Sequence, residues 1–131
     1  MEDQRKFVRY RVANLLSLKA QMDNNRRNEK LIMFGEGGCG FYGIAGKLEL
    51  SLPKRVFSVF LMDELEAKVQ GNLLYSRNIM TEGGEVTFYG IEFIPSHRAL
   101  VRPIVERLQK LAESGEISIE QIQRVNSEIR V

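Results

Sequence analysis

A six-residue segment of the sequence has the spacing of a dinucleotide-binding turn. Residues 35–40, GEGGCG, satisfy G-x-G-x-x-G, a pattern that joins a strand to a helix whose N-terminus faces the pyrophosphate. No helix is predicted to begin here, because Gly43 and Gly46 follow at once and each glycine in a helix costs about 1 kcal/mol relative to alanine. The segment is therefore predicted to be a glycine-rich bend between two strands, where a missing Cβ lets backbones approach closely.

Two arginines near the start of the chain have the chemistry of an anion clamp. Arg5 and Arg9 lie four residues apart with Phe7 between them. Guanidinium forks bond phosphate oxygens and guanine edges and stack on bases, so such a pair can hold a dianionic ligand. The alternative interpretation is a solvated basic terminus.

The residues that hydrolytic or metal chemistry needs are sparse. The chain has one histidine, His97, and one cysteine, Cys39, far apart in the sequence and without the spacing of metal ligands. A cysteine nucleophile needs a neighbouring base, and none is indicated. We therefore expect no metal site, no cofactor and no enzymatic activity.

Length and composition fit one domain spanning residues 1–131. A hydrophobic content of 44% with 27% charged residues is ordinary for a globular protein, and the apolar runs are too short to predict a membrane span. The charged N-terminus is unlike a secretory signal and one cysteine makes no internal disulfide, so a cytoplasmic location is expected. A net charge of +2 is too small to indicate a nucleic-acid-binding protein.

Strand patterns follow one another through the first ninety-odd residues with no helix between them. Residues 7–22 alternate between apolar and polar, and DNNRR at 23–27 predicts a hairpin turn into a strand at about 29–34. In the segment after Leu65, alternate residues up to Tyr75 are predicted to share one face. Further strands are predicted at 47–51, 55–62, 65–77 and 86–93. The series predicts an antiparallel sheet closed into a six-stranded barrel over about residues 7–94.

Helical periodicity replaces the strand pattern after Pro95. Ser96 is a plausible N-cap, and an apolar stripe from Leu100 to Leu111 predicts a helix that ends near Gly115, with Pro103 inside it. The sequence SIEQ at 118–121 fits a capping box and predicts a second helix. Two C-terminal helices are thus expected within about residues 96–129.

Together these features resemble the PilZ domain family, bacterial receptors for cyclic di-GMP, over about residues 5–111. Residues 5–9, RKFVR, match the family's RxxxR stretch. Residues 69–74, VQGNLL, are similar to its strand with a central glycine, and residues 89–93, YGIEF, to its closing strand. The resemblance implies a mainly β fold, a six-stranded antiparallel PilZ-like barrel with C-terminal helices, and a ligand site formed by Arg5, Arg9, Gly35 and Gly38.

The glycine bend corresponds to the family's D/NxSxxG turn but lacks its polar side chains. The alignment places Met33 at the Asp/Asn position, Gly35 at the Ser position and Gly38 at the final glycine. In the family the carboxylate or amide accepts from a guanine edge, whereas a thioether is only a weak acceptor. Losing a charge-assisted contact of about 1.5–3 kcal/mol lowers affinity about ten- to a hundredfold.

Three functional hypotheses follow from the sequence. The first is a PilZ-domain signalling protein that binds cyclic di-GMP and acts on a protein partner. The second is a PilZ adaptor that no longer binds the nucleotide and works through protein contacts, for example in motility or pilus regulation. The third is a barrel that binds single-stranded nucleic acid, which requires aromatic residues interleaved with cations along one face.

Overall fold

The computed structural model describes residues 7–22, 30–44 and 54–119. They form one antiparallel sheet and one helix. Arg5, the predicted turn at 23–27 and the predicted strand at 47–51 lie outside the described residues. In chain order the elements are β1 (Arg9–Arg11), β2 (Leu18–Met22), β3 (Lys30–Gly35), β4 (Gly38–Ile44), β5 (Lys54–Met62), β6 (Leu65–Thr81), β7 (Gly84–Phe93), α1 (Arg98–Glu113) and β8 (Ser118–Ile119).

The sheet is an open half-barrel, not the closed six-stranded barrel that the sequence predicted. Its strand order is β2-β5-β6-β7-β4-β3-β1-β8, so in the described part of the chain β2 and β8 are edges. Besides β8, which forms where a helix was predicted, two local features raise the strand count. Turns at residues 13–17 divide the single strand predicted at 7–22, and the glycine segment predicted as a bend continues into β4.

The hairpin predicted between residues 22 and 30 is wrong. β2 pairs with β5, with Leu18 opposite Met62 and Met22 opposite Ser58. β3 pairs instead with β1 on one side and β4 on the other. Alternation along one strand identifies its buried face but carries no information about its neighbour, so the pairing could not be derived from the pattern.

The three consecutive strands β5, β6 and β7 confirm the strongest strand predictions. β6 and β7 run on as a long hairpin whose last pair is Thr81 with Gly84. A bulge between Leu73 and Tyr75 shifts the register of this pair, and a bulge moves the following side chains to the opposite face. Leu73 is therefore fully buried whereas Tyr75 is exposed, which corrects the prediction that both share one face.

The core lies between the concave face of the sheet and α1. Phe34, Phe60 and Phe93 meet at its centre, with ring centroids 4.8 to 5.8 Å apart and the rings inclined to each other, an arrangement that adds to the gain from burying them. The helix covers them with Val101, Ile104 and Leu108, which are all buried. These residues confirm the predicted helical stripe except at its first member, Leu100, which is exposed.

The C-terminal region contains one helix in the described residues where two were predicted. α1 runs through Pro103, and its N-cap is His97 and not Ser96, which lies in a preceding 3-10 turn. Ser118, the predicted start of a second helix, pairs with Arg11 as part of β8. The remainder of the second predicted helix lies beyond the described residues.

Candidate functional site

A cavity of about 450 Å³ opens where β1, the glycine turn and the start of α1 meet, and we call it the β1–α1 cavity. Two of its lining residues, Cys39 and Ile91, also belong to the core cluster. Its lining combines cationic, aromatic and acidic side chains with glycine backbone. The lining residues that matter here are Phe7, Arg9, Gly37, Tyr75, Glu92 and Arg98.

Arg9 lies beside the glycine turn, as the sequence predicted. It is the antiparallel partner of Gly35, and Gly38 is the corresponding partner of Glu92 on β7. Arg9 and Glu92 both line the β1–α1 cavity. The structure thus brings Arg9, Gly35 and Gly38 together, while Arg5 lies outside the described residues.

Gly35 and Gly38 are required by close backbone approach. A Cβ at Gly35 would collide with the carbonyl oxygen of Val8, and a Cβ at Gly38 would collide with the carbonyl oxygen of Ile91. Glycine lets β1 and β7 close on the turn from either side. These two residues therefore set the close approach of the neighbouring strands to the turn, whose Gly37 lines the cavity.

Met33 offers the cavity no polar group. It is buried in a small apolar cluster with Ile32 and Phe88. A thioether packed in this way neither carries charge nor accepts strongly. The side-chain acceptor that an Asp or Asn would supply at this position is accordingly replaced by an apolar group.

Glu36 ties the glycine turn to the helix. Its carboxylate Oε2 accepts a hydrogen bond from Nε of Arg102 at 3.0 Å. Both side chains retain solvent access, so the pair stabilises the fold only slightly. The ion pair instead holds the glycine turn in place against α1, next to the cavity.

Arg98, the first residue of α1, is a cavity residue that sequence reasoning missed. Its guanidinium carbon lies 5.1 Å from the centroid of the Phe7 ring. Tyr75 and Glu92 also line the cavity and were not among the site residues that the sequence predicted. The only local signal for Arg98 was its position at a predicted helix start; nothing in the spacing joined it to Arg9.

Cys39 is a buried residue of the core cluster beneath the turn. Burial raises the pKa of its thiol from 9.0 to about 12, and the nearby charge of Arg9 opposes this rise only partly. A thiol that stays protonated at neutral pH is a poor nucleophile.

His97 has a structural contact. Its Nδ1 accepts a hydrogen bond from the backbone N–H of Gln70 at 2.9 Å, which fixes the start of α1 against β6.

Across the described ranges, no three His, Cys, Asp or Glu side chains gather in a group that could hold a metal ion. Within the same residues no helix has the length and apolar character that crossing a bilayer requires.

Three solved structures share this fold. The complex of K. pneumonia MrkH with c-di-GMP matches 88% of this chain and 57% of the MrkH chain, at 16% identity and a TM-score of 0.70. The PilZ domain of Escherichia coli YcgR with c-di-GMP matches 86% of this chain and 97% of that domain, at 16% identity and 0.62. The Bacillus subtilis inhibitor of motility MotI/DgrA matches 83% of this chain and 53% of its own, at 13% identity and 0.56.

These similarities confirm a PilZ-like fold for the chain. It spans little more than half the length of the MrkH and MotI chains, and nearly all of the YcgR domain. No protein-family model and no curated protein sequence matches it.

Proposed function

We propose that this chain is a cytoplasmic PilZ-domain signalling protein that binds cyclic di-GMP in the β1–α1 cavity and acts on a protein partner, without catalytic activity. Arg5 and Arg9 would hold the phosphates, and Gly35 and Gly38 would keep the backbone close to the ligand. The observation that carries the proposal is the position of Arg9, which is paired with Gly35 and lines the cavity. The support from similarity is the PilZ-like fold, which recurs in two proteins solved with c-di-GMP.

The cavity has groups for each part of a guanine nucleotide. A guanidinium forms charge-assisted, bidentate hydrogen bonds with phosphate oxygens. The exposed aromatic ring of Tyr75 provides a stacking surface. Because the turn has no acceptor at Met33, we assign that role to the Glu92 carboxylate, which can accept from the N–H groups of a guanine edge.

Ligand binding would act on a partner through β1. This strand has three residues and is paired with both β3 and the two-residue β8. A ligand shifts only those conformations with which it interacts differently. Contacts to Arg9 would favour the conformation in which β1 is paired with the sheet. They would thereby change the surface around β8 to which a partner binds.

Isothermal titration of the purified chain with cyclic di-GMP tests the proposal. We expect saturable binding that Arg9→Ala weakens at least tenfold, because a charge-assisted contact is worth about 1.5–3 kcal/mol. Arg11→Ala is the matched control, since Arg11 lies two residues further along β1, is exposed and lines a different surface depression near Gly115. Equal losses from both variants would indicate non-specific attraction and refute the assignment of Arg9.

The second candidate is an adaptor that works by protein contacts alone. The burial of Met33 and the absence of a side chain at Gly35 favour it, because both base-reading groups of the turn are missing. A flat titration with cyclic di-GMP at high micromolar concentration would select this candidate over the first.

A further inference from the structure

Arg98 is a cation at a position where a helix favours anions. It is the first residue of α1, whose first turn contains no acidic side chain. The N-terminus of a helix carries partial positive charge, so a cation there is disfavoured. An anion bound beside Arg98 would satisfy both the side chain and the helix end.

The Nε atom of Arg98 is buried and has no hydrogen-bond partner among the residues that the structure describes. Leaving a buried donor unsatisfied destabilises the fold, and more so when the donor belongs to a charged group. Such groups are uncommon in folded proteins and call for an explanation, of which an absent ligand is one. Since Arg98 also lines the β1–α1 cavity, an acceptor entering that cavity could reach its guanidinium.

Phe7 fixes where this guanidinium lies. Its ring packs so closely on Gly37 that a Cβ there would come within 2.7 Å of it, and the guanidinium carbon of Arg98 lies 5.1 Å from the ring centroid. An arginine stacked on an aromatic face keeps its N–H edge available for an acceptor. The turn, the phenyl ring and Arg98 thus pack together, and Arg9 lines the same cavity.

We propose that Arg98 is a second phosphate-binding residue of the cavity and that, with Arg9, it holds the phosphodiester of a cyclic dinucleotide. This inference rests on the proposed function and adds a helix residue to a site assigned so far to β1, the turn and β7. Two cations on different elements surround one anion, so the ligand joins α1 to β1. The Glu92 carboxylate also lines the cavity and disfavours anions, but it is exposed and its repulsion is screened by water.

Titration calorimetry with cyclic di-GMP on three variants of the full chain tests this. Arg98→Gln removes the charge and should weaken binding at least tenfold, whereas Arg98→Lys keeps the charge without the planar fork and should fall between Arg98→Gln and the wild type. Arg107→Gln is the control on the same helix, because Arg107 is exposed and pairs with Asp63 outside the cavity. It should bind like the wild type.

A double-mutant cycle makes the test more specific. If Arg9 and Arg98 hold the same phosphodiester, the effects of Arg9→Ala and Arg98→Gln should not add. Urea denaturation of each variant shows whether it is folded. If Arg98→Gln does not fold, Arg98→Lys takes its place in the titration. If the wild type binds cyclic di-GMP and Arg98→Gln binds it with the same affinity, the role of Arg98 is overturned while the proposed function stands. The same conclusion holds for Arg98→Lys if that variant has to replace Arg98→Gln. No binding by the wild type overturns both.

Discussion

Placing at position 35 the serine of the PilZ turn that this segment resembles should destabilise the protein. In Gly35→Ser the new Cβ meets the Val8 carbonyl oxygen, which belongs to the backbone and has no rotamer by which to move away. Either β1 shifts from β3 or both strands distort. Overpacking of this kind costs about 1–3 kcal/mol, and displacing β1 also moves Arg9, which is the strand partner of residue 35.

Urea denaturation measures this loss. With a slope of about 2 kcal/mol per molar urea, typical of small domains, a loss of 2 kcal/mol lowers the midpoint by about 1 M. Gly83→Ser is the matched control, because Gly83 lies in the exposed β6–β7 turn and its nearest neighbour would be Thr81 Oγ1, 3.9 Å away. A Gly35→Ser protein as stable as the control, with tighter binding of cyclic di-GMP, would refute the close approach of β1 to the turn.

Four further changes have defined outcomes. Met33→Asp places an unpaired carboxyl in the apolar cluster and should destabilise by about 3 kcal/mol in urea denaturation; because burial raises its pKa, the loss should be larger at pH 8 than at pH 4. His97→Ala removes the acceptor of a backbone N–H and should cost about 1 kcal/mol, seen as a lower thermal midpoint. Since the thiol of Cys39 titrates near 12 when folded and near 9 when unfolded, wild-type stability should fall between these pH values by up to about 1.4 kcal/mol per unit, a slope absent from Cys39→Ala. Glu92→Ala should lower the affinity for cyclic di-GMP about tenfold and leave the affinity for cyclic di-AMP unchanged. Equal losses of affinity for the two ligands in calorimetry would contradict guanine recognition by this carboxylate.

Local patterns predicted the elements whose structure is determined locally. The β5–β7 strands and α1 were found because alternation and helical periodicity mark one buried face, and α1 does bury Val101, Ile104 and Leu108. The bulge at Leu73, the pairing of β2 with β5 and the β8 strand depend on contacts between distant segments. Such contacts leave no periodic trace in one sequence.

The candidate site was predictable only in the part that carries a motif. Spacing and resemblance predicted Arg9, Gly35 and Gly38, and the structure places Arg9 next to Gly35. Arg98 and Tyr75 are 89 and 66 residues from Arg9 along the chain, and only the folded sheet and helix bring them to one cavity. Their contribution is therefore a property of the tertiary fold.

The strand β7 borders both the cavity and the core. Gly90 and Glu92 line the cavity, Tyr89 and Phe93 are buried in the hydrophobic interior, and Ile91 belongs to both sets. Replacing an exposed cavity side chain such as Glu92 therefore leaves the packing of Tyr89 and Phe93 intact. A scaffold of this kind can exchange one small-molecule specificity for another over evolutionary time, or abandon it altogether, as long as the changes fall on exposed side chains and not on Gly35 or Gly38.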